Sequence, residues 1–213
     1  MQLYGQMLEL TSSQLIFIIV IPVIVLIVGL IFLFVFLSKR HYKKTFKEHY
    51  YKTINNIVMY NDFLLINEFP LSKKNGNKLL IDHIICGNKY IYVVLDYFYN
   101  GDIKGNASDE SLVLYRKGDK KEYVDNPLKI SEKVIYKLSV ITGIDISALK
   151  GIVLVNDSCI LHVKNPSKMF TIINKKEIKK YIKEQEKDPS VGNFNEDQLQ
   201  NAAKVLKEIK SRN

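Results

Sequence analysis

The chain has 213 residues, a formal net charge of +9 and only two cysteines, at positions 86 and 159. Two cysteines so far apart, with no His at ligand spacing, exclude a zinc site and point to free, buried thiols in a reducing compartment. All 31 Lys and Arg follow residue 38, and five of them crowd into residues 39–47, so the charge speaks first of a membrane surface and only weakly of nucleic acid.

Residues 15–37, LIFIIVIPVIVLIVGLIFLFVFL, form an uninterrupted apolar run, reaching the roughly 20 residues that cross a bilayer core as a helix. Pro22 and Gly29 are tolerated in such helices. Residues 1–14 carry one charge, Glu9, whereas Lys39, Arg40, Lys43, Lys44 and Lys47 follow the run. The positive-inside bias therefore places a short N-terminus outside and the rest in the cytoplasm. A cleaved signal peptide would want a basic start and a small-residue cleavage site, and a buried core helix would need more protein around it than this chain supplies.

Residues 38–60 follow as a basic juxtamembrane segment and a linking helix, with Tyr50, Ile54, Ile57 and Val58 at helical spacing. Residues 63–69 predict a strand that Pro70 stops, and Asn75-Gly76 marks a turn. LLIDHIIC (79–86) and YIYVVLDYF (90–98) are apolar on both faces, as central strands are, and the Gly87-Asn88 turn joins them as a hairpin. After a polar stretch comes a strand over 111–117. Asn126-Pro127 then opens a helix carrying Ile130, Val134, Leu138 and Ile141, which ends near Gly143.

Residues 151–156 predict a third buried strand, 169–173 a fourth, and 175–187 a lysine-rich helix in which Glu177, Glu184 and Glu186 dilute the charge. Beyond a linker at 189–192, Asn195 and Gln198 match a capping box, and Leu199, Ala202, Leu206 and Ile209 line a last helix that packs on the domain or pairs with another copy. The sum is an α/β architecture in which a single transmembrane helix precedes a mixed sheet flanked by helices, with a domain over 61–188 and a linker and amphipathic helix over 189–213.

Asp82 is the residue that asks for a reason, because a carboxylate in the middle of a buried strand costs several kcal/mol unless it is paired, hydrogen-bonded or bound to a metal. IDHIIC (81–86), YIYVVLDYFYNGDIKG (90–105), DNPLKISEKVIYKL (125–138) and GIVLVN (151–156), in that order, resemble the nuclease-related (NERD) domain, a relative of the PD-(D/E)XK nucleases. The resemblance implies a PD-(D/E)XK-like fold and a divalent metal, Mg2+, held by the Asp of the IDH strand and by a Glu two positions before a Lys. Aligned without gaps, that Glu falls on Leu95, the Lys on Tyr97 and the Gln after N-P-x-x on Ile130.

The resemblance thus implies a degenerate, inactive centre and a role as an interaction or nucleic-acid-associated module, with the bilayer and a nucleic acid or unidentified protein as partners. One alternative is a divergent metal-dependent nuclease using Asp82 and Asp96 as catalytic residues, Asp82 as metal ligand, and a lysine brought in by Lys104 or Lys129; Glu48 matches an acid the family often carries. Alternation turns Asp96 to the opposite face from Leu95 unless a bulge slips the strand. A cluster of acids gathered with an ammonium at the former ion pocket would overturn the inactive reading. The other alternative is a structural membrane protein forming homo-oligomers through its last helix.

Overall fold

The computed structural model describes residues 12–71, 79–116, 118, 120–165 and 167–212. The turn expected at Asn75-Gly76 lies outside them. The chain divides into two compact units, Met1–Thr45 and Phe46–Asn213.

The described residues of the first unit are helical. Helix α1 (Ser12–Asn61) contains the apolar run, and within it Val20–Ser38 has a mean hydropathy of 3.4, long and apolar enough to cross a membrane or to serve as a signal sequence. Its large apolar side chains from Val20 to Leu37 are exposed, unlike those of a soluble protein's core helix. Where the sequence suggests a stop at Ser38 and a second helix, α1 continues to Asn61. No Gly or Pro lies between Ser38 and Asn61, so nothing there interrupts the backbone ladder.

The second unit is an α/β fold with two sheets rather than the one expected. The larger has the order β1-β2-β3-β7-β9, built from β1 (Leu64–Leu71), β2 (Leu79–Cys86), β3 (Ile91–Tyr97), β7 (Leu149–Val155) and β9 (Phe170–Asn174). The first three strands are antiparallel, and β3, β7 and β9 are parallel. Pro70 does not stop β1 but pairs with Leu80, which an edge strand permits because the missing N–H costs the ladder nothing on its open side. The smaller sheet has the order β6-β5-β4-β8, from β4 (Asp102–Asn106), β5 (Ser111–Arg116), β6 (Lys120–Asp125) and β8 (Leu161–Lys164).

Helix α2 (Pro127–Thr142) starts and stops as its sequence dictates. Asn126 caps it by accepting the Leu128 N–H, and Gly143 closes it at φ 71°, a left-handed conformation that favours glycine. One face of the larger sheet meets α2 and α4 (Glu196–Arg212) in an apolar cluster that includes Val93, Leu95, Val134, Leu138 and Leu206. The other face packs Tyr92, Val94 and Ile152 against Tyr50, Ile54 and Ile57 of α1 and Ile178 and Ile182 of α3 (Ile178–Glu186). Asn195 and Gln198 form the expected reciprocal cap on α4, whose apolar stripe lies on the first cluster. Both cysteines are buried and free, and burial pushes the Cys86 thiol up to about 12.

Helix α2 can lie close to β7 because residue 151 has no side chain. A Cβ there would sit 2.4 Å from Ser131 Oγ and 2.7 Å from Ile135 Cδ1. Gly151→Ala is therefore expected to destabilise the protein by about 1 to 3 kcal/mol through overpacking, measured by denaturant unfolding.

Candidate functional site

Asp82 sits where regular pairing breaks on both of its sides. Towards β1, Asn67 pairs with His83 and Phe69 with Ile81, but Glu68 and Asp82 between them do not pair, and Glu68 has φ 49°. A non-glycine residue at positive φ is uncommon and marks local strain. The inward alternation shifts at the same place: Ile66 shares a cluster with Phe69 and Leu71, and Ile81 with Ile84 and Cys86, each an odd step where a regular strand requires an even one.

Towards β3, pairing runs from Cys86–Ile91 to His83–Val94 and goes no further. Beyond it, the Asp96 N–H donates to Asp82 Oδ2 at 2.9 Å, so the carboxylate fills the fork between the strands. Its other oxygen, Oδ1, accepts from Lys47 Nζ at 2.7 Å. Partial burial pulls the Lys47 ammonium down, but the Asp82 bond and the charges of Asp82, Asp96 and Glu68 outweigh it and hold the group above its ordinary value.

Asp96 follows the alternation of β3. Ile91, Val93 and Leu95 face the α2 side and Tyr92 and Val94 the α1 side, so β3 has no slip and the irregularity belongs to β1 and β2. The Asp96 carboxylate meets His83 Nε2 at 3.1 Å, while His83 Nδ1 lies 2.6 Å from Asn67 Oδ1. An amide oxygen only accepts, so Nδ1–H donates to Asn67, and the contact between Nε2 and Asp96 needs a further proton, on the ring or on the carboxyl group. The Asp96 side chain is 1% exposed and its Oδ1 has no hydrogen-bond partner. Burial raises its pKa and the Asp82 charge adds to that, against the lowering influence of His83 and Lys47.

The structure therefore joins Asp82 and Asp96 through one backbone N–H and supplies an ammonium, but from Lys47. Lys129 instead pairs with Glu132, and Lys104 and Glu48 are exposed. Lys47 was hidden in the basic run. Its signal was its position three residues before Tyr50, on the stripe that continues through Ile54 and Ile57. Leu95, Tyr97 and Ile130, the three positions where the resemblance expects polar groups, all belong to the apolar cluster on the α2 side.

Chemically, this is an acid pair already neutralised by protein groups. A hard divalent cation wants six or more oxygens. Among the described residues, no group of three His, Cys, Asp or Glu side chains is placed to hold one. The donor set does not fit Mg2+. Because Lys47 is more than half exposed, its ion pair contributes little in solvent. Lys47→Ala is expected to change stability by less than about 1 kcal/mol, measured by thermal unfolding. Comparison with protein-family models, with curated proteins and with solved structures finds no match to this chain.

Proposed function

We propose that this is a single-span membrane protein with its N-terminus outside and the unit from Phe46 in the cytoplasm. That unit is a nuclease-related α/β domain acting as an interaction or nucleic-acid-associated module without phosphodiester hydrolysis. The observation that carries the reading is that Leu95 is buried in one apolar cluster and the half-buried Tyr97 and Ile130 pack against it, at the positions where the resembled family places Glu, Lys and Gln. The orientation is supported by the basic residues that follow the apolar run.

The test uses the full chain in detergent micelles with labelled DNA and RNA, in Mg2+ or Mn2+. No cleavage is expected, and binding should weaken steeply as salt rises. Cleavage that disappears in Asp82→Asn and Lys47→Ala would replace this reading with a divergent nuclease built on Asp82, Asp96 and Lys47. Binding that is absent or indifferent to salt would remove nucleic acid from the reading. Protease added to intact cells should leave the Phe46–Asn213 unit uncut, and digestion from outside would reverse the orientation.

A further inference from the structure

A second feature lies in the same unit, away from Asp82. A cavity of about 620 Å³ opens where the ends of β4 and β8 meet the first turn of α2 and the start of β9. That volume is within the range of small-molecule sites, about 300 to 1,000 Å³. Lys129 and Lys164 line it from different elements, together with Ser108, Ser167, Phe170 and one acid, Glu132.

Among the described residues, neither ammonium group is within hydrogen-bond distance of a carboxylate. Lys129 lies in the first turn of α2, at the positive end of the helix dipole, and its one carboxylate neighbour, Glu132, is 3.8 Å away, beyond hydrogen-bond distance. Among the described residues no carboxylate pairs with Lys164.

The walls are fixed before any ligand arrives. Asn126 Nδ2 donates to the carbonyls of Asn106, Ala107 and Asp109 at 3.2, 3.1 and 2.7 Å, clamping the β4–β5 loop to the start of α2. Opposite, Asn165 Nδ2 donates to the Phe170 carbonyl at 2.6 Å, and Ser167 Oγ accepts the Met169 N–H at 3.1 Å. That leaves the Ser167 hydroxyl proton to donate to a ligand.

We infer that this cavity is a nucleotide site, taking a phosphate between Lys129 and Lys164 and a base against the ring of Phe170. An acidic peptide would use the two cations but leave the aromatic face idle; a nucleotide uses both. The nucleotide is either free or one residue of a single strand. The inference deepens the nucleic-acid part of the proposed function and rests on it.

The experiment measures binding of ADP and of a fluorescein-labelled decauridylate to the full chain in detergent micelles. Lys129→Gln with Lys164→Gln should weaken binding by about tenfold or more and flatten the plot of log affinity against log salt by about 0.7 per lysine for the strand. Phe170→Leu should weaken binding and leave that slope alone, while Lys179→Gln with Lys180→Gln on α3 should change nothing. Lys164→Gln alone, at an exposed position, keeps the test valid if the double variant fails to fold. ADP displacing the strand identifies a shared site; ADP binding without strand binding identifies a free nucleotide as the ligand. Salt-sensitive strand binding that ignores Lys129 and Lys164 overturns the cavity assignment and leaves the broader function standing. Failure of both probes to bind folded protein overturns this inference and removes nucleic acid from the proposed function.

Discussion

Replacing His83 with alanine should lower stability by about 3 to 5 kcal/mol, the cost of leaving a buried charge without its partner. Asp96 is 1% exposed on its side chain, and its Oδ1 already has no partner, so without His83 neither carboxylate oxygen has a side chain to bond. The loss should also depend on pH. Burial raises the Asp96 pKa above its ordinary 3.8, so the folded state binds this proton more tightly than the unfolded state does. Its contribution is therefore full below the ordinary value and is lost as pH rises through the folded value. His83 lowers that folded value, so removing it moves the end of the loss to higher pH, and the deficit of His83→Ala should widen as pH rises above the folded value of the intact protein. Asp96→Asn added to His83→Ala should recover most of the stability at neutral pH. A pH-independent deficit, or none, would show that the pair holds nothing together. Denaturant unfolding of the full chain across pH reads all three outcomes.

Leu206→Ala should cost about 2 to 5 kcal/mol without changing the number of chains in the particle. Leu206 is fully buried, and Leu199, Ala202 and Ile209 of the same stripe pack on the cluster formed by β1, β2, β3 and α2. The stripe that the sequence offers equally to the domain or to a second copy is thus taken by the domain. Sedimentation in detergent, corrected for bound detergent, gives the particle size, and thermal unfolding gives the cost. Dissociation of an oligomer in this variant, with the unfolding temperature unchanged, would restore the self-association reading.

What the sequence reveals here depends on how strongly each residue pattern constrains its backbone. LLIDHIIC, YIYVVLDYF and GIVLVN are so apolar that only central strands suit them, and Asn126-Pro127 with Gly143 brackets α2 almost to the residue. Strands β4, β6 and β8 escaped because they are short and polar: β6 reads KKEYVD, with no apolar alternation to signal it. Their pairing comes from partners distant in sequence, as when Ile103 of β4 lies beside Leu161 of β8. In the candidate site, Asp82 declared itself by being charged within an oily strand. The reversal at Glu68 left no trace, since glutamate has no preference for positive φ, and Lys47 was indistinguishable from its basic neighbours without the stripe that it begins.

The outer strand of the smaller sheet has a consequence for crowding. Among the described residues strand β6 has one neighbour, β5, and all but one of its residues are exposed, including Lys120, Lys121, Glu122 and Asp125. A bare strand rim is a template onto which another chain can add and from which fibrils can grow. Closely spaced ionic side chains oppose such addition, because an arriving strand would have to strip water from them with no matching charges to meet. Many copies held side by side at high local density can therefore stay separate on the strength of those ionic side chains.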